Sequence, residues 1–234
     1  MNWEQSSGRI GSADAVLHSV AQRAFMSRVY RWMFAGLALT AGVAMYAASN
    51  PTLQQFVIQN RMFLMIAQLG VVMALSFMAQ RMSGAVASAV FMGYAALTGL
   101  TFSILFLVYR VESIGSALLL TAGSFGALSV YASVTKKDLS AWKTFLFMGL
   151  IGVVLASVVQ IFWHNAAFSF VISCVSVIVF AGLTAYDTQK LRQMYAYEST
   201  PGGSLAVVGA LTLYLDFINL FLALLRLTGD RRRD

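Results

Sequence analysis

Cysteine is almost absent. Cys174 stands alone in 234 residues and lies inside an apolar run, which excludes an intramolecular disulfide and any CxxC or Cys/His metal spacing. It reads as a small buried hydrophobe. Histidine is nearly as scarce: His18 near the start and His164 in a tight turn are too far apart for a triad, and neither GxSxG nor HExxH occurs. Charged residues make up only 11% of the chain, against about a quarter in a soluble domain. Apolar residues take their place, at 59% of the sequence with a mean hydropathy of +0.75. An integral membrane protein is the class that fits.

Charge-free runs divide the chain at 32–60, 62–80, 82–109, 113–135, 144–163, 165–186 and 199–225, the last broken only by Asp216. Each reaches the roughly 20 residues that a helix needs to cross about 30 Å of hydrocarbon. The fold expected is therefore all-α, a bundle of seven transmembrane helices. Pro51 follows Ser49-Asn50 and Pro201 precedes Gly202-Gly203, where turns are expected. Residues 1–28, rich in Ser, Gly and Arg, read as a flexible cytoplasmic tail, 29–226 as the membrane domain and 227–234 as a basic C-terminal tail. Small residues such as Ala35, Gly36, Ala38, Gly42, Ser83, Gly84, Ala87, Gly123 and Gly126 suit close helix packing.

Lys and Arg near span ends stay on the cytoplasmic side. Placing the N-terminus inside keeps ten basic residues inside and only Arg61 and Arg110 in outer loops. Seven spans then leave Arg226, Arg231, Arg232 and Arg233 outside, a conflict that a re-entrant last segment would remove. The net charge of +7 suits this topology and attraction to anionic headgroups, and no basic run with aromatic interleaving points to nucleic acid.

Of nine Asp and Glu residues, seven are expected in loops or tails and only Asp187 and Asp216 within the apolar spans. An acid at mid-bilayer costs roughly 2.5–3.5 kcal/mol on insertion scales, a cost that usually marks function. On the last helix Thr212, Asp216 and Asn219 recur at i, i+4 and i+7, and on the sixth Ser169, Ser176, Thr184 and Asp187 share one azimuth. These two polar faces should turn inward. Arg81, at the cytoplasmic end of the second helix, is a basic partner within reach of Asp187. Two carboxylates close together in low dielectric cannot both ionise cheaply, so one proton is shared and the pair senses pH. Arg81 offers Asp187 a competing arrangement, the bistable element of a gate. The same oxygens suit weak, transient Ca²⁺ binding, because two acids with Thr and Asn fall short of the roughly 6–8 ligands of a tight site. No resident cofactor is expected.

The stretches GLTAYDTQKLRQM (182–194), LTLYLDFINLFLALLR (211–226), TKKDLS (135–140) and ALTGLTFSIL (96–105) resemble the Bax inhibitor-1 family in its bacterial branch. The resemblance spans all seven helices. It implies a bundle with the last helix at its centre and a pH-sensitive calcium leak in a bacterial inner membrane. It further implies that Asp187 and Asp216 are the family's paired aspartates and Arg81 the arginine that latches to the first. The sequence departs at residues 66–70, IAQLG, where Gln68 stands in place of the glutamate of some members, and in the longer STPGGS segment between the two acids. An alternative function implied by the resemblance is regulation of a membrane-bound AAA protease through protein contacts. Intramembrane aspartyl proteolysis is disfavoured, since Leu213-Tyr214-Leu215-Asp216 replaces Gly-x-Gly-Asp and no Pro-Ala-Leu motif occurs. The protein is expected not to be an enzyme.

Overall fold

The computed structural model describes residues 3–78, 82–163, 165–194 and 204–232, with side chains from residue 18 onward except at 76–78. Pro201 and His164 fall outside the described residues. Regular structure among the described residues is helical, apart from one isolated antiparallel bridge between Tyr109 and Arg231. The helices are α1 (Trp3–Ser49), α2 (Pro51–Gln59), α3 (Arg61–Met78), α4 (Gly84–Phe102), α5 (Leu105–Val108), α6 (Val111–Val134), α7 (Lys143–Phe162), α8 (Ala166–Met194) and α9 (Ser204–Thr228). A 3-10 turn, Leu139–Trp142, leads into α7.

Six helical segments are long and apolar enough to cross a membrane: His18–Ser49, Gly84–Val108, Val111–Val134, Leu139–Phe162, Ala166–Met194 and Ser204–Thr228. The seventh passage differs from the straight helix expected after residue 60. Run 32–60 breaks at Asn50, whose side chain accepts from the backbone N–H groups of Thr52 and Leu53, and Pro51 opens α2 at a position that needs no N–H. α2 and the α3 segment Arg61–Leu75 meet at a bend of 77°. α3 then returns along α4, where Gln68 Nε2 donates to Leu97 O at 3.2 Å and to Thr101 Oγ1 at 2.6 Å. Since α1 and α4 run parallel, with Thr40 Oγ1 donating to Ala95 O, α3 must carry the chain back between them. At about 1.5 Å per residue its 18 residues cover about 27 Å.

α9 occupies the centre. Of its most apolar stretch 67% is buried, against 11–33% in the other five spans, and it packs against α1, α4, α6 and α8. Tyr214 at its middle is fully buried, its ring edge-on to Phe91 at 5.5 Å and Tyr94 at 5.9 Å. The outward faces of α3 and α7 carry exposed Phe63, Ile66, Phe147, Met148 and Leu155, as suits contact with acyl chains.

Close packing uses fewer of the expected small residues than foreseen. Gly36 lies under the Phe91 ring, but a side chain at Gly42, Gly123 or Gly126 would meet open space. The tight approaches are instead at Gly99, Gly149, Gly182 and Gly209.

Packing continues beyond residues 29–226 at both ends. The packed domain begins before residue 29: Phe25 and Met26 join Val29 in the core, one apolar stripe on a helix that already starts at Trp3. At the other end the chain turns back on the α5–α6 connection. Arg110 N–H donates to Asp230 O at 3.2 Å, Arg232 N–H to Val108 O at 2.9 Å, and Asp230 N–H to Ser113 Oγ at 3.1 Å. α9 therefore crosses the whole bundle, from Leu191 of α8 beside Gly209 to Tyr109 beside Gly229, and is no re-entrant segment. Arg231 and Arg232 lie at the end of Arg110, opposite Lys137 and Arg192.

Candidate functional site

α8 reaches Met194, which puts Asp187 about two turns inside its end, and packs antiparallel to α9. Their register is set at Gly209, where a Cβ would come 2.8 Å from Leu191 Cδ2 and 3.3 Å from Val29 Cγ2. A Cβ there would push the end of the Leu191 side chain aside. Counting from that contact, Asp187 stands level with residue 213, and Asp216 lies three residues deeper, about 4.5 Å. Side chains on a helix tilt toward its N-terminus. In an antiparallel pair that tilt aims Asp187 deeper and Asp216 shallower, so the offset closes and the two carboxyl groups come within hydrogen-bond reach.

Asp216 is 5% exposed and its Oδ2 has no N–H or hydroxyl donor, while Asp187 is half-buried. A hydrogen bond between two carboxyl groups needs a proton on one of them. Among the described residues no third His, Cys, Asp or Glu joins them to make a metal-binding group. Two carboxyl groups so placed can hold a proton between them, or lose it and offer oxygens to a cation.

The last two turns of α8 reach a different element with nearly every residue. Thr188 meets Ser129 of α6 at 3.5 Å. Gln189 accepts from Leu139 N–H at 2.8 Å and donates to Lys137 O at 2.9 Å, holding the α6–α7 connection. Arg192 donates to Ser133 O and, at 3.0 Å, to Gln22 Oε1, while Gln22 Nε2 donates back to Arg192 O at 2.7 Å. Lys190, one turn beyond Asp187, acts on it electrostatically and lies over the Tyr186 ring. Sequence reasoning assigned none of these roles, although Lys190 sits at the i+3 position where a charge pair is expected.

The expected polar faces are divided. Ser176 and Thr184 are buried on α8, each hydroxyl donating to the carbonyl four residues back, Ile172 O and Phe180 O. Thr212 and Asn219 lie on the least buried edge of α9, with Val208, Leu215 and Leu222, and bond to Val208 O and Leu215 O. Asp216 falls off that edge because i+4 and i+7 differ in azimuth from i by opposite signs, which lets it face α8. Arg81 lies outside the described residues.

Six long apolar helices and one bent pair, with α9 buried among them and two acids meeting at its α8 face, define a multi-pass α-helical membrane protein. The family model described as "Inhibitor of apoptosis-promoting Bax1" matches residues 22–233, and the chain belongs to this Bax inhibitor-1 family. It is 50% identical over 215 residues to the Escherichia coli K12 "Inner membrane protein YbhL", covering 89% of this chain and 92% of that one. An uncharacterized protein of Deinococcus radiodurans is also 50% identical, over 212 residues, with 89% and 91% covered. One from Borreliella burgdorferi is 40% identical over 216 residues, with 90% and 93% covered.

Proposed function

We propose that this protein is a pH-sensitive calcium leak of the bacterial inner membrane, gated by Asp187 and Asp216. The observation that supports this is the meeting of the two carboxyl groups at the α8–α9 interface, inside two spans that hold no other acid. In low dielectric, two ionised carboxylates in contact repel, so a proton held between them joins the helices and its loss drives them apart. Arg81 then holds Asp187 in the second state. The released oxygens are hard ligands for Ca²⁺, the cargo, and two carboxylates bind it weakly enough to let it pass. Ser176, Thr184, Thr212 and Asn219 supply polar lining once helix movement frees them from their carbonyls.

The basic residues favour a cytoplasmic N-terminus. Arg23, Arg28, Arg31, Lys136, Lys137, Lys143, Lys190 and Arg192 belong to one end, and Arg61, Arg110, Arg226, Arg231 and Arg232 to the other. The printed name of the E. coli relative favours the inner membrane. On this reading the protein has no resident cofactor and catalyses no reaction.

The test is Ca²⁺ flux into proteoliposomes with a trapped calcium dye, across about pH 5 to 8, beside the Asp187→Asn/Asp216→Asn double variant. Flux that titrates in the wild type and loses its pH dependence in the variant is the expected result. No flux above empty liposomes at any pH would overturn the leak and leave regulation of a membrane-bound AAA protease through protein contacts, which needs no ion path.

A further inference from the structure

Between α1, α6 and α8, at the Arg192 end of the bundle, lies an open cavity of about 700 Å³. Arg23, Arg31 and Arg192 line it together with Met26, Tyr30 and Phe34, and no Asp or Glu lines it among the described residues. Arg23 and Phe34 are 11 positions apart on one helix, about 16 Å, so the cavity extends along α1 with Arg23 nearer the polar end and Phe34 deepest.

Three features of this wall point to an anionic ligand. Arg192 is held in place by Ser133 O and by its double contact with Gln22, so its charge is preorganised at the cavity edge. Arg31 lies within a membrane-spanning segment, and its Nε donates to Ser27 O at 3.4 Å, one turn back toward Arg23. That fold brings the guanidinium toward the polar end, as a long basic side chain does when its own depth is apolar. Phe34 is 72% exposed just below, continuing the cavity into the belt where acyl chains pack. Guanidinium groups favour phosphate because their planar donors match its oxygens in pairs.

We infer that this cavity is a binding site for the phosphodiester headgroup of an anionic phospholipid, with Arg23, Arg31 and Arg192 on the phosphate and an acyl chain along Tyr30 and Phe34. Free inorganic phosphate shares the headgroup chemistry, but it leaves the apolar wall without a partner. The cavity does not include Asp187 or Asp216, and the inference is independent of any ion path.

The experiment is native mass spectrometry of the full chain in detergent, titrated with phosphatidylglycerol and separately with phosphatidylcholine, for the wild type, Arg23→Gln/Arg31→Gln and Arg110→Gln. Both targeted arginines are exposed, so the fold is retained. The expected result is a preference for phosphatidylglycerol in the wild type, reduced about fivefold for each arginine removed, and unchanged by Arg110→Gln at the other end. Arg23→Lys/Arg31→Lys should keep only part of the preference, because the charge remains while the paired guanidinium contacts are lost. Equal lipid retention by the glutamine variant, or an equal loss in Arg110→Gln, would overturn the site. Displacement of the lipid by millimolar inorganic phosphate would overturn the lipid as its occupant.

Discussion

Gly209 of α9 lies so close to Leu191 of α8 that a Cβ would come 2.8 Å from Leu191 Cδ2, and this contact sets the level at which the two acids meet. Gly209→Ala should therefore cost about 1–3 kcal/mol through overpacking and disturb the Asp187–Asp216 register. Adding Leu191→Ala clears the space. Thermal unfolding of both single variants and the double in detergent gives the coupling, and strict additivity would show that the glycine does not act through Leu191.

Gly99 of α4 presents the sharper case, because a Cβ there would come 2.6 Å from the backbone oxygen of Thr40, which cannot rotate away. Gly99→Ala should lower stability by about 2 kcal/mol or more. Gly42→Ala, which meets nothing within 4 Å, should be neutral or slightly stabilising. Similar melting temperatures for the two would contradict the packing of α1 on α4.

Tyr214 anchors the central helix two residues from Asp216. The single hydroxyl proton of Thr40 goes to Ala95 O at 2.9 Å, so the Tyr214 hydroxyl donates to Thr40 Oγ1 at 2.7 Å. Tyr214→Phe should cost about 1 kcal/mol and leave the packing with Phe91 and Tyr94 in place. Thr40→Val, which strands the tyrosine hydroxyl in the core, should cost more. A reversed order in chemical or thermal unfolding would refute the assigned direction of donation.

Asp138, outside the spans, has its carboxyl held below the usual carboxylate range, chiefly by the backbone N–H of Ser140, which donates to it at 2.9 Å. A depressed folded value stabilises the turn above the unfolded value and is lost only as pH falls through the folded one. Asp138 thus stays ionised across about pH 5 to 8, and Asp138→Asn should leave the pH profile of Ca²⁺ flux unmoved. A shifted profile would place the sensor in the α6–α7 connection rather than between α8 and α9.

Much of this arrangement was legible in the sequence because the bilayer is a demanding solvent. Charge-free runs marked the helices, and the two acids stood out within them. The turn at Pro51 was marked, but the 77° bend between α2 and α3 was less visible, since only Arg61 interrupts the apolar sequence there. Which small residues carry the packing was hidden too: Gly36 and Gly42 look alike until Phe91 is placed over one of them. The same holds for Gln189 and Arg192, whose partners are 50 or more positions away and follow from tertiary geometry alone.

The knot of three hydrogen bonds between residues 230–232 and the α5–α6 connection has a mechanical consequence. It clamps the far end of α9 to a turn anchored in two other helices, whereas the near end begins beyond α8. A rod clamped at one end swings and does not slide. Displacement at Asp216 is then a fraction of the displacement at Ser204, scaled by distance from the fulcrum.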